Sequence, residues 1–135
     1  MENAMGQINY LAVLAAAAAA FLLGGVWYGP LFGNAWMQAS GVTPETREPG
    51  HRPKVFIISF LWALLGAWFF AMFLGEAPAL AFATAVGFGT GLIWIAGSFA
   101  INYQFEGRPS RLLLVNGGYH TAQYTLYGLI LGLWH

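Results

Sequence analysis

Four long stretches without a charged side chain dominate the pattern of hydrophobic and polar positions. They cover about residues 8–28, 55–75, 79–101 and 112–134, and each contains 21 to 23 residues. A helix needs about 20 residues to cross the ~30 Å hydrocarbon core of a bilayer. In hydrocarbon every backbone polar group must be satisfied within the protein, which a helix does within its own segment. The pattern therefore predicts four transmembrane helices.

The segments that connect these helices differ in length and polarity. Residues 76–78 form a three-residue turn, so the second and third helices are expected to form a tight antiparallel hairpin. Residues 102–111 are short and polar. The first connection, residues 29–54, begins with an apolar part that predicts a short interfacial helix and continues as a loop rich in Pro, Gly and charge. Residues 1–135 are thus expected to form one domain, a compact all-α bundle of four transmembrane helices.

The positions of the basic residues predict the orientation of the bundle. All five Lys and Arg residues lie in the first and third connections, which share one side of the membrane if there are four spans. The positive-inside rule then places residues 29–54 and 102–111 in the cytoplasm and both termini outside. Trp27, Tyr28, Tyr103 and Trp134 lie near the ends of spans, as in the aromatic belts of membrane proteins.

Composition supports a chain that is solvated by lipid. Apolar residues make up 59% of the sequence and charged residues 7%, against roughly 25% charged residues in soluble domains. The net charge is zero, so no electrostatic attraction to nucleic acid is expected, and the lipid bilayer is the expected partner. The absence of cysteine excludes disulfides and thiol chemistry.

The fourth helix carries a polar stripe within its apolar context. At about 100° per residue, Tyr119, His120, Gln123 and Tyr127 all lie within about 60° of Asn116 on the helix surface. On the same assumption, one face of the third helix carries Thr84, Gly87, Gly91, Ser98 and Asn102. We expect the polar faces to point inward and to form an intramembrane polar site from Asn116, Tyr119, His120, Gln123, Asn102 and Asn9.

Glycines separated by four residues recur in three of the helices. Such small-xxx-small spacings allow two helix backbones to approach closely in a membrane. The residues predicted to pack in this way are Gly25, Gly29, Gly87, Gly91, Gly128 and Gly132. These faces exceed what four helices need internally, so the pattern also predicts a homo-oligomer.

The polar stripe has two possible roles. Its side chains can hydrogen-bond between helices and fix the register of the bundle, at about 0.6 kcal/mol for each bond. Alternatively, they line a path or pocket in which His120 titrates or binds a ligand. No carboxylate lies within any span, and His51 and His135 lie outside the spans. We therefore predict no catalytic residues, no metal site, no cofactor and no enzymatic activity.

These observations lead to three hypotheses for function. The first is a non-enzymatic integral membrane protein that self-associates through its glycine-rich helix faces. The second is a minimal transporter or channel subunit with a polar intramembrane site around His120. The third is an accessory subunit of a larger membrane complex.

Parts of the sequence resemble a known family. The carrying stretches are Ile8–Gly41, Asn102–His120 and the closing "LGLW", with Trp27-Tyr28, Ala35-Trp36-Met37 and Gly118-Tyr119-His120 as the most specific elements. They are similar to a family of small bacterial integral membrane proteins, catalogued as domain of unknown function 1761. The resemblance implies a compact, multi-pass four-helix protein of the bacterial cytoplasmic (inner) membrane. It implies no established activity and supplies no catalytic residue.

Overall fold

The computed structural model describes residues 7–47 and 52–135, and its regular structure in these two parts is entirely helical. The first half contains α1 (Tyr10–Val26), a first π-helical segment (Trp27–Leu31), α2 (Gly33–Ser40), α3 (Pro44–Arg47) and α4 (Pro53–Leu74). The second half contains α5 (Leu80–Gly89), a second π-helical segment (Thr90–Ala96), α6 (Gly97–Glu106) and α7 (Ser110–Leu133). We call the continuous helix formed by α5, the second π segment and α6 the third long helix.

Three helices in the described parts of the chain are long and apolar enough to cross a membrane. They are Tyr10–Leu31, Pro53–Leu74 and Leu80–Glu106, with 22, 22 and 27 residues. The short helix expected after the first span is present as α2. The fourth long helix, α7, has 24 residues, which is a length of about 36 Å. Its polar side chains make it less apolar than the other three.

The centre of the bundle is α7. It packs against the third long helix along most of its length and also contacts α1 and α2. The largest buried cluster lies where α1, α4 and α7 meet. Alanines of α1 form one side of it, Ala67 and Phe70 of α4 the second, and Tyr127 and Leu131 of α7 the third. Because alanine is small, α1 can approach both of its neighbours closely.

The prediction that the second and third helices pack together as a tight hairpin is wrong. The turn between α4 and α5 is present, but α4 packs mainly on α1, and the third long helix packs mainly on α7. One side-chain contact across the hairpin is a ring contact between Phe73 and Trp94, with centroids 6.1 Å apart. Glycine contacts with the backbone of α7 instead set the position of the third long helix.

Glycines bring the backbones of α7 and the third long helix into contact. A Cβ added at Gly91 would lie 2.5 Å from both the carbonyl oxygen of His120 and the Cα of Thr121. Gly87 faces the backbone of Tyr124 in the same way, and Gly128 faces the backbone of Ala83. No side chain larger than hydrogen fits at these positions without moving a helix, so the glycines set the spacing.

The first predicted glycine pair is placed differently. Gly25 and Gly29 are both exposed, and a Cβ added at either would meet nothing within 4 Å among the described residues. Gly132 lies within the α7 interface, where an added Cβ would be 3.1 Å from the Cα of Leu80. Of the predicted pairs, Gly87, Gly91, Gly128 and Gly132 thus pack within the chain, whereas Gly25 and Gly29 face outward.

The second π segment changes which residues of the third long helix face α7. A π turn closes hydrogen bonds from i to i+5 and therefore contains about one residue more than an α turn. After Gly91 the contacts with α7 continue at Ala96, Phe99 and Tyr103. Ser98 and Asn102, which a regular helix would place on that face, are exposed. The predicted common face of the third helix is therefore wrong beyond the start of this segment.

Replacing Gly91 by alanine should destabilise the protein, because the new methyl group overlaps the backbone of α7. We expect the free energy of unfolding in detergent to fall by about 1–3 kcal/mol. Gly89→Ala is the matched control, since Gly89 is helical in the same helix and has nothing within 4 Å of an added Cβ. Equal losses in both variants would contradict the close approach.

Candidate functional site

The polar stripe of α7 begins with Asn116, which lies between two tyrosines from different helices. The hydroxyl of Tyr28 in the first π segment donates to Asn116 Oδ1 at 2.7 Å. Asn116 Nδ2 donates to the hydroxyl of Tyr103 in α6 at 2.8 Å. The amide thus uses its acceptor towards one helix and a donor towards another, and it links α7 to both.

Two further hydrogen bonds join α7 to the first helix. The indole Nε1 of Trp27 donates to the carbonyl oxygen of Val115 at 2.9 Å, and the hydroxyl of Tyr119 donates to the carbonyl oxygen of Ala20 at 2.8 Å. A carbonyl oxygen has two lone pairs, so both acceptors can keep their helical hydrogen bonds. The rings of Tyr28 and Tyr119 also contact each other, with centroids 5.4 Å apart. Aromatic residues of the first helix therefore hold the start of α7.

A second network runs from His120 towards α4. His120 Nδ1 lies 2.6 Å from Gln123 Oε1, Gln123 Nε2 donates to the hydroxyl of Tyr127 at 2.8 Å, and that hydroxyl donates to the carbonyl oxygen of Ala63 at 2.7 Å. Gln123 and Tyr127 are buried, at 6% and 0% exposure. Because Gln123 Oε1 can only accept, the neutral His120 ring carries its proton on Nδ1. Its Nε2 is then an acceptor.

One polar atom of this cluster is open. The ring of His120 stacks on Phe99 with centroids 5.5 Å apart and meets the edge of Tyr119 at 5.0 Å. Its Nε2 makes no hydrogen bond to any described residue. Every fully buried side-chain nitrogen or oxygen in the described parts of the chain has a partner. His120 Nε2 has no such partner and is therefore not fully buried.

The structure brings together four of the six residues predicted for the polar site and separates the other two. Asn116, Tyr119, His120 and Gln123 form the cluster. Asn9 instead caps α1, where its Oδ1 accepts from the backbone N–H of Ala12 at 3.0 Å. It lines a small cavity with Leu131 and Trp134 at the end of α7, about three helical turns beyond His120.

Asn102 is exposed on α6, and the next residue, Tyr103, makes the contact with Asn116 instead. The sequence analysis missed Trp27, Tyr28 and Tyr103 as cluster residues because it assigned them to an aromatic belt. Their position near the ends of spans is common to both roles, so only the hydrogen bonds distinguish them. Tyr127 lies on the polar stripe of α7, and that position was the available signal for its part in the cluster.

The cluster offers hydrogen bonding rather than a set of metal ligands. Across residues 7–47 and 52–135, no three His, Asp or Glu side chains are arranged to hold a metal ion. His120 alone presents an open nitrogen, which can accept one proton or one hydrogen bond. The described hydrogen bonds join α7 to the three other long helices and leave one nitrogen acceptor, His120 Nε2, without a partner among the described residues.

Removing the Tyr28 hydroxyl should weaken the hydrogen-bonded cluster, because Asn116 Oδ1 then loses its donor. We expect Tyr28→Phe to lower the free energy of unfolding in detergent by about 1 kcal/mol. Tyr124→Phe is the control, since the Tyr124 hydroxyl makes no hydrogen bond within the described part of the chain. A loss of similar size in Tyr124→Phe would show that the effect is not due to the bond.

Comparison with known proteins places the chain in a family. No match was found among curated proteins, and none among solved structures. A family described as "Protein of unknown function (DUF1761)" matches residues 11–132, which is most of the chain. The matched region contains both partners of every hydrogen bond described for the cluster. The chain therefore belongs to the DUF1761 family.

Proposed function

We propose that this protein is a non-enzymatic, four-span integral membrane protein of the bacterial cytoplasmic membrane that assembles as a homo-oligomer. Packing supports α7 as the fourth span. Its first turns contact Trp27 and Tyr103, and its last turns contact Leu80 at the other end of the third long helix. A helix that lies beside two apolar spans over this length crosses the membrane with them. Four spans, together with the basic residues of the first and third connections, support an orientation with both termini outside.

The pairing of the polar stripe is the observation that carries a structural rather than a catalytic role. Asn116 and Tyr127 make hydrogen bonds to other helices of the same bundle, and Gln123 links His120 to Tyr127 within α7. In a membrane such bonds and close packing replace the hydrophobic force that holds soluble bundles together. The stripe thus accounts for the association of the helices without a substrate.

The exposed glycines of the first helix support self-association. Gly25 and Gly29 leave a shallow strip beside the exposed side chains of Leu22 and Val26, which are 72% and 48% exposed. Two copies related by a twofold axis can bring these strips into contact, as small-xxx-small faces do in other membrane helices. The first helix of each copy would then form the interface.

Filling this strip should dissociate the oligomer. We expect the Gly25→Leu, Gly29→Leu double variant to shift the mass in detergent from that of a dimer or larger assembly to that of one chain. Ala85→Leu is the control, because Ala85 is an exposed small residue on α5. Only single chains for the unaltered protein would contradict self-association, and single chains bound to a different protein would favour an accessory subunit.

A transport role is the second candidate, and the open Nε2 of His120 is the observation that favours it. An accessible imidazole within a bundle can take up a proton and pass it on. The nearest groups that could carry the proton further are the amide of Gln123 and the hydroxyl of Tyr127. This path would run along the second network towards α4.

Proton-linked transport predicts a flux in liposomes that changes with pH and that His120→Ala abolishes. Tyr124→Phe is again the control, since it alters a neighbouring ring of α7 without removing a hydrogen bond of the cluster. A pH-dependent flux that persists in His120→Ala would exclude this residue as the proton acceptor.

A further inference from the structure

An apolar groove runs along the outer side of the contact between α7 and the third long helix. Its cavity volume is about 730 Å³. Small residues of both helices line it, among them Gly97, Ala100, Gly118 and Ala122. None of the cluster side chains Asn116, Tyr119, His120 and Gln123 contributes to its lining. The groove is therefore separate from the polar cluster and opens away from it.

The groove is longer than the hydrocarbon depth of one leaflet. On α7 its lining extends from Leu113 to Leu129, which is about 24 Å along the helix. One leaflet contributes about 15 Å of the ~30 Å hydrocarbon core. A lipid from the leaflet at whose surface α7 begins can thus lay one whole acyl chain in the groove.

A positive charge lies at the end of the groove near that surface. Arg111 precedes the groove residues Leu114 and Gly118 by three and seven positions, so it shares their face of α7. It is exposed and makes no ion pair or hydrogen bond within residues 7–47 and 52–135. Arg108, in contrast, contacts Glu106 at 3.5 Å and donates to the Ser40 carbonyl oxygen at 3.4 Å.

We propose that this groove binds one anionic phospholipid, with an acyl chain along α7 and the phosphate on Arg111. The positive end of the α7 dipole lies at the same place, and no side chain caps it. The proposal rests on α7 crossing the membrane, as proposed above, but not on self-association, since Gly25 and Gly29 lie outside the groove.

Charge disfavours a second copy of the chain as the occupant. Copies in one membrane share their orientation, so a twofold interface through this groove would place both Arg111 side chains at the same depth. Like charges at one interface repel. A phospholipid instead brings a negative charge to Arg111 and an apolar tail to the groove, so that both features are matched by one molecule.

Binding can be measured by native mass spectrometry of the purified full chain in a neutral detergent. Dioleoyl phosphatidylglycerol and dioleoyl phosphatidylcholine are added separately, and the bound lipids are counted. We expect one phosphatidylglycerol to bind more tightly than phosphatidylcholine, and Arg111→Gln to weaken it about five-fold. Ala122→Phe, which fills the groove, should weaken both lipids. Arg52→Gln is the charge control, because Arg52 is exposed at the start of α4, away from the groove.

Three results would overturn the proposal. Equal binding of the two lipids would remove the role of the phosphate charge. Equal weakening by Arg52→Gln and Arg111→Gln would show general attraction to a basic surface rather than a site. Loss of a dimer in Ala122→Phe without loss of lipid would show that a second chain occupies the groove. An oligomer that persists in Arg111→Gln separates failure of this site from failure of the proposed self-association.

Discussion

The close approach of α7 to the third long helix is the contact on which the rest of the bundle depends. Lipid tails are as apolar as the helix surfaces, so these two helices gain little from the hydrophobic effect when they meet. Dispersion between backbones and between-helix hydrogen bonds must hold them, and both require short distances. Gly87, Gly91 and Gly128 provide those distances, because any larger side chain would meet the opposite backbone.

The two π segments bring aromatic residues from both neighbouring helices into contact with the polar residues of α7. The second segment rotates α6 so that Phe99 and Tyr103 reach His120 and Asn116. The first segment includes Pro30 and brings Trp27 and Tyr28 onto the start of α7 from the other side. The polar residues of α7 are explained by these partners. Each π segment places aromatic hydrogen-bonding groups beside the polar part of α7.

The sequence predicted much of this architecture, and its failures have one main physical cause. Uncharged runs of sufficient length predicted the three apolar spans, because span length follows directly from bilayer thickness. Every inference about faces, however, assumed about 3.6 residues per turn. A single π turn invalidates that assumption for all residues that follow it, which is why Asn102 was expected where Tyr103 lies. No composition or motif in the third helix signals where the extra residue enters.

Glycine spacing predicted where a helix backbone can be approached closely, but it did not predict which helix makes the approach. Gly87 and Gly91 pack on the backbone of α7, and Gly128 and Gly132 pack on the backbone of α5, whereas Gly25 and Gly29 face outward with the same spacing. A sequence pattern records that a backbone can approach, but the partner depends on the arrangement of all four long helices. The prediction that α4 and α5 pack as a tight hairpin is wrong for this reason. Glycine contacts with α7 set the position of the third long helix.

Disulfide cross-linking in membranes tests most directly whether the second π segment turns the third long helix onto α7. The chain lacks cysteine, so a double variant contains only the chosen pair. A Cβ at Gly117 would lie 2.9 Å from the Cβ of Ala96, whereas Trp94, which a regular helix would turn towards α7, is 62% exposed. The structure predicts that Ala96→Cys with Gly117→Cys forms a disulfide on mild oxidation and that Trp94→Cys with Gly117→Cys does not. Cross-linking of the second pair and not of the first would contradict the account.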